Sequence, residues 1–316
     1  MVVARPELDT TPPAAADIGR QAAELSARMP DLLIQARLVA NTIAHGIHGR
    51  RRAGPGETFW QFRHFQSGEP AKRIDWRRSA RDDHLYVREK EWEAAHTVWI
   101  WIDRSPSMYF RSQLGQARKI ERAVVIGLAL TDLLIRGGER VGLVGLIAPS
   151  ARRNAIETAA QLIAHDPIGE DRLPTEVPFG RFSDLVILGD LLEPLQTLEA
   201  GLTGIAGRQV HGHVVQILDP AEETFPFAGR TEFHDAASGL TYTAGRAEAI
   251  RGAYLARMAE RRRRLRALSD RLGWSCTVHH TDHPAQQPVL ALHARLSGGS
   301  NPRAGASAAA GREASV

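Results

Sequence analysis

The chain has a single cysteine, Cys276, which excludes an intramolecular disulfide and any cysteine-cluster zinc or iron–sulfur site. Nothing in that composition calls for an oxidising compartment, and a cytoplasmic setting is the expectation. Long hydrophobic runs are missing too. The most apolar windows, VWIWI at 98–102 and AVVIGLALTDLLI at 123–135, fall short of the ~20 residues a membrane span needs. The opening MVVARPELDTTPPAAADIG mixes acidic residues with prolines and has no signal-type apolar core, so residues 1–20 are expected to be a disordered tail. No G-x-x-x-x-G-K-[ST] loop, G-x-G-x-x-G turn, H-E-x-x-H pair or G-x-S-x-G elbow occurs, so the common enzyme signatures are absent. Charge is nearly balanced, with 40 Lys and Arg against 36 Asp and Glu, and that total does not indicate a nucleic-acid partner.

What is present is a globular composition: 316 residues, 43% hydrophobic and 24% charged. Leu25, Met29, Leu32, Leu33, Ala36 and Val39 recur at 3- and 4-residue spacing, which predicts an amphipathic helix over 21–45, bent or broken near Pro30. Residues 50–95 lose that periodicity and become dense in Arg, Trp, Phe and Gly. From 97 onward apolar strands alternate with helices: TVWIWID, a helix over 112–135, RVGLVGLI, a helix over 152–165, DLVILGD, a helix over 193–206, then HVVQILD at 213–219. Continuous apolar strands separated by helices predict an α/β fold with a mostly parallel sheet covered on both faces. A hairpin of TEFHD and LTYTA, a helix over 245–272, the strand WSCTVHHTD and a helix over 284–296 complete the pattern. The expected division is a tail (1–20), a helical prelude with the Arg/Trp-rich segment (21–95), an α/β domain (96–298) and a Gly/Ala/Ser-rich disordered tail (299–316).

The sharpest local feature is Asp103-Arg104-Ser105-Pro106-Ser107, placed where a strand ends, the position at which open α/β sheets bind ligands. Its spacing brings one carboxylate and two hydroxyls together as hard oxygen ligands of the kind Mg²⁺, Mn²⁺ or Ca²⁺ prefer. Asp190, ending DLVILGD, approaches the same crevice if its strand is a neighbour. The alternative is that Asp103, Ser105 and Ser107 merely cap the next helix.

The second feature is GPGETFWQFRHFQSGEPAKRIDWRRSARDDHLYVREKEWE at 54–93. Its Arg63, Arg73, Asp75, Trp76, Ser79, Arg81 and Arg88 stand in a run that closely resembles the defining motif of domain of unknown function family 58. That family couples such a segment to a von Willebrand factor A-like domain, and the D-x-S-x-S followed by DLVILGD is similar to that domain's metal-ion-dependent adhesion site. The resemblance extends over about 20–297. It implies a von Willebrand factor A-like α/β fold, a site for Mg²⁺ at Asp103, Ser105, Ser107 and Asp190, and a protein partner. Members are commonly linked with AAA+ ATPases of the MoxR type, which implies an adaptor role in the assembly or maturation of a complex. The threonine such a site expects has two candidates, Thr158 and Thr175, neither in a Gly-Gly-Thr context.

Residues 50–88 hold ten Lys and Arg against five Asp and Glu. Interleaved with Trp60, Phe62, Phe65 and Trp76, those cations would either clamp the segment onto the α/β domain through ion pairs and cation–π contacts, dock a partner, or bind a nucleic acid by phosphate contact and base stacking. The first of these requires Trp76 to be buried. Weaker candidates are His279, His280 and His283 with Asp282, His211 with His213 on one strand face, and Arg261 to Arg264, read as the solvated face of a helix.

Overall fold

The computed structural model describes residues 2–3, 15–48, 59–66, 69–81, 84–90, 96–169, 173–235 and 240–298. In chain order the strands are β1 (Val2–Val3), β2 (Phe59–His64), β3 (Tyr86–Lys90), β4 (Thr97–Ile102), β5 (Arg140–Leu143), β6 (Ile147–Ser150), β7 (Asp184–Gly189), β8 (His211–Leu218), β9 (Thr231–His234), β10 (Thr241–Ala244) and β11 (Ser275–His280). The helices are α1 (Ala15–His48), α2 (Trp76–Ser79), α3 (Lys119–Arg136), α4 (Ala155–His165), α5 (Leu195–Ala206), α6 (Pro220–Thr224), α7 (Ala247–Arg271) and α8 (Gln286–Gly298).

Six strands form the central sheet in the order β11-β8-β7-β4-β5-β6. All neighbours are parallel except β6, which turns back on β5 through Gly145 at a φ of 75° and closes that edge. The expected single strand RVGLVGLI is therefore a hairpin, because Gly145 permits a left-handed turn that other residues resist. Every residue of β7 is buried, as a central strand covered on both faces requires. Alternation along the strands separates two cores. Val98, Ile100, Ile102, Leu188 and Ile217 face α3 and its neighbours; Trp99, Trp101, Leu185 and Ile187 face α5 and the end of α7.

Two boundaries depart from the sequence-based division. α1 runs unbroken through Pro30 from Ala15, so residues 15–20 are helical rather than tail, and Val2–Val3 pair antiparallel with β9. A proline removes one helical hydrogen bond at a cost of about 3 kcal/mol; burial of Leu25, Met29, Leu32, Ala36, Val39 and Ile43 along one stripe outweighs it. Those residues belong to the same core as α3, α4 and α8, so α1 is an added layer of the α/β domain and not a prelude. The Ser26 hydroxyl ties it to the Ala164 carbonyl at 2.6 Å. The hairpin turn at 236–239 and the tail at 299–316 lie outside the described residues.

If α1 is part of that core, Leu32→Ala, at a site 1% exposed, will lower stability by about 2–5 kcal/mol. Urea unfolding followed by far-UV circular dichroism will show one transition, shifted as a whole; an early, separate loss of helix would mean that α1 folds by itself.

Candidate functional site

Three neighbouring strands, β4, β7 and β8, end in aspartates at the same edge of the sheet: Asp103, Asp190 and Asp219. Parallel pairing makes this unavoidable, since the Asp103 N–H donates to the Leu188 carbonyl at 2.8 Å and sets the two strand ends level. Gly189 lets them approach: a Cβ there would meet the Asp103 side chain at 2.8 Å.

The D-x-S-x-S loop is ordered from within. Asp103 Oδ1 accepts the Ser105 N–H at 2.9 Å, the Ser105 and Ser107 hydroxyls lie 3.1 Å apart, and Ser107 Oγ donates to Asp190 Oδ2 at 2.7 Å. Asp103 and Ser105 are buried. The structure thus brings together all four residues singled out from the sequence. They do not cap α3, which begins only at Lys119 with Arg118 as its N-cap; Ser105 instead precedes a single 3₁₀ turn, Pro106–Tyr109, with no side-chain capping bond.

Neither threonine joins them. Thr158 Oγ1 donates to the Asn154 carbonyl at 3.0 Å at the start of α4. Thr175 lines an open cleft of ≈ 700 Å³ beside the crevice, together with Trp101, Arg104, Asp166, Glu176 and Glu193.

The residue that dominates the crevice was not foreseen. Lys119, the first residue of α3, is fully buried, and its ammonium donates to Asp190 Oδ2 at 2.8 Å and to Glu222 Oε1 at 2.7 Å. A cation at a helix N-terminus opposes the helix dipole, so only these two carboxylates make the position tenable. Glu222 is delivered by local chemistry: Asp219-Pro220-Ala221-Glu222 is a capping box with proline in the first turn, in which Glu222 Oε2 accepts the Asp219 N–H at 2.8 Å while Asp219 Oδ1 accepts from Ala221. After Asp190, Leu191 adopts a φ of 52°, which folds the Leu192 N–H back towards Asp190 Oδ1 at 3.3 Å. Burial works against both charges, yet the pairing prevails: the Asp190 carboxyl is held below its ordinary range by Lys119 and Ser107, and the Lys119 ammonium is pushed above its own by Asp190 and Glu222.

That arrangement decides how well a divalent ion fits. The donors are of the right class, but Asp190 Oδ2 already receives the Ser107 hydroxyl and the Lys119 ammonium. Two unit charges 4 Å apart interact by about 4 kcal/mol at an effective dielectric constant of ~20, and a divalent ion doubles the repulsion from Lys119. With Lys119 in place the four residues do not fit a divalent cation. Among the described residues, no group of three His, Cys, Asp or Glu is arranged to hold a metal.

The remaining candidates resolve differently. Arg261 and Arg262 are half-buried rather than solvated: Arg261 Nε donates to the Leu191 carbonyl at 3.0 Å, bracing the loop after Asp190, and Arg262 pairs with Glu223. Arg263 and Arg264 are exposed and pair with Glu260 of their own helix. His211 and His213 do share a face, and with His96 they surround Asp184 at 3.4–3.8 Å, at the opposite edge of the sheet from Asp103. His279 is buried, His280 pairs with Glu223 and His283 with Asp282.

In the Arg/Trp-rich segment, β2 and β3 pair antiparallel and α2 lies between them in sequence. Asp75 caps α2 by accepting the Arg78 N–H at 3.0 Å; the buried Ser79 hydroxyl donates to the Asp75 carbonyl at 2.8 Å and accepts the Tyr86 N–H at 2.9 Å. Arg78 stacks on Tyr86, 4.6 Å from the ring centroid. Trp76 contradicts the expectation of burial: it is 62% exposed, because the capping turn that starts at Asp75 points its first helical residue outward. Arg81 is exposed as well. The side chains of Arg63, Arg73 and Arg88 lie outside the described residues.

Two outcomes follow for stability. Lys119→Met leaves Asp190 and Glu222 buried without their counter-charge and will cost about 3–5 kcal/mol, read by chemical denaturation at neutral pH. His279, pushed down to about 3 by burial and by the nearby Arg122, is neutral when folded. It therefore contributes stability that is complete above the ordinary histidine value of 6.5 and is lost as pH falls from there, with a slope of up to about 1.4 kcal/mol per pH unit. His279→Gln will remove that part of the acid dependence; an unchanged slope would show that His279 is already protonated in the folded protein.

Uncharacterized proteins of Mycobacterium tuberculosis and Mycobacterium bovis are each 26% identical over 235 residues, covering 69% of this chain and 72% of theirs. The crystal structure of the conserved hypothetical protein BatB from Bacteroides thetaiotaomicron superposes with a TM-score of 0.42 at 13% identity, over 65% of this chain and 100% of that one. The family model described as "Protein of unknown function DUF58" matches residues 61–264, more than half of the sequence and including most of the Arg/Trp-rich segment and the crevice, so the chain belongs to the DUF58 family.

Proposed function

We propose that this protein is a non-enzymatic adaptor, a von Willebrand factor A-like domain that docks a protein partner with the Arg/Trp-rich unit as part of the contact. The observation that carries this reading is Trp76. An indole 62% exposed on a folded unit, with Arg77 and Arg81 exposed beside it and Leu85 also exposed, has the composition of an interface centre, where tryptophan and arginine supply most of the binding energy. Asp75 and Ser79 hydrogen-bond within the unit and Ile74 bridges to Val87, contacts that do not use the Trp76 side chain. The crevice favours a binding role over catalysis, because the carboxylates of Asp190, Asp219 and Glu222 accept hydrogen bonds from within the protein. A MoxR-type AAA+ ATPase is the partner suggested by the resemblance of the motif. The docking takes no step through a metal ion.

The same exposed Trp76 and arginines favour a second reading, in which the unit stacks and neutralises a single-stranded nucleic acid. One set of proteins separates the two. Trp76→Ala will melt within about 0.5 kcal/mol of wild type, as exposed substitutions do, and will bind a purified MoxR-type ATPase at least ~30-fold more weakly, the loss of an interface centre. Capture of the ATPase equal to wild type would dismiss Trp76 as a docking residue. Binding of a single-stranded oligonucleotide that weakens linearly in log–log form as salt rises, and is lost in Trp76→Ala, would favour the nucleic-acid reading instead.

A further inference from the structure

We infer that the Lys119 ammonium is a resident cation, built into the position that a divalent ion would take between Asp190 and the D-x-S-x-S loop, and that shortening this one side chain converts the crevice into a metal site. The inference concerns the crevice alone and does not depend on which partner the protein docks.

Four observations carry it. The ammonium and the Ser107 hydroxyl share a single oxygen, Asp190 Oδ2, at 2.8 and 2.7 Å, so the cation stands on the carboxylate where that carboxylate meets the serine loop. The lysine has no exposed surface and hence no solvent into which it can withdraw to admit an ion. Its second carboxylate, Glu222, is fixed by the capping box of α6, so the oxygen facing Lys119 is positioned without it. Asp103 Oδ1 and the Ser105 and Ser107 hydroxyls are also ordered by contacts within their own loop. Removing the lysine stem would therefore leave the Asp190 and Glu222 carboxylates facing a vacated, buried volume, with the Ser107 hydroxyl on Asp190 and the Asp103 loop adjoining it. Hard oxygen donors with an excess of negative charge suit Mg²⁺ and Mn²⁺.

The test uses the full chain and Mn²⁺ alone as the probe, with loss of the free-ion paramagnetic resonance signal reporting binding and the thermal midpoint reporting linkage to folding. Wild type is expected to bind no stoichiometric Mn²⁺, and its midpoint to be the same in chelator and in millimolar Mn²⁺. Lys119→Ser is expected to melt lower than wild type in chelator, to recover several degrees in Mn²⁺ and to bind a single equivalent; adding Asp103→Asn should weaken that binding by about tenfold or more. A single equivalent bound by wild type, with a midpoint rise that Asp103→Asn removes, would overturn the inference, since a metal would then coexist with Lys119. A Lys119→Ser protein that folds but ignores Mn²⁺, or that millimolar Mn²⁺ does not restore to a cooperative transition, would overturn it equally.

Discussion

A single buried ammonium ties together the edge of the sheet at which β4, β7 and β8 end. Lys119 joins three segments that share no backbone pairing: the first turn of α3, the loop that follows β7 through Asp190, and α6 through Glu222. Desolvating a lysine and two carboxylates is expensive, and such clusters persist only when geometry and additional hydrogen bonds offset that expense. Here they do. Asp190 receives Ser107 and Leu192, Glu222 receives the Asp219 N–H, and Arg261 braces the intervening loop from α7. The price is rigidity at the one edge where open α/β sheets ordinarily keep room for a ligand.

The same end of α3 anchors the helix that precedes the sheet. Arg118 pairs with Glu24 of α1, and Glu121 receives both the Arg118 N–H and the Arg28 guanidinium of α1. Glu121 is buried while Arg28 is partly exposed, so these contacts fix the direction of α1 more than they add stability. The apolar stripe from Leu25 to Ile43 supplies the burial. With α1 fixed, the α3 N-terminus that carries Lys119 is packed from both sides.

In the Arg/Trp-rich unit, Asp75 accepts the Arg78 N–H and the Arg78 guanidinium lies over the Tyr86 ring. Trp76, Arg77 and Arg81 are exposed on its surface.

The alternation of strands and helices and the mostly parallel sheet were legible in the residues, because a strand buried on both faces must be a continuous apolar run and its helices must be amphipathic, whereas the adjacency that sets the strand ends level was not. Asp103, Ser105, Ser107 and Asp190 were legible for the same reason: each follows directly from where an apolar run stops. Asp219 ends HVVQILD in the same way. Trp76 and Lys119 were not legible, since local sequence sets a side chain's chemistry but not its surroundings. An indole at a capping turn points outward or inward according to what packs there, and a lysine opening an apolar helix is solvated unless other elements close over it. Lys119 is 71 residues from Asp190 and 103 from Glu222. Only the packing of β7, α3 and α6 against one another brought those charges within hydrogen-bond distance.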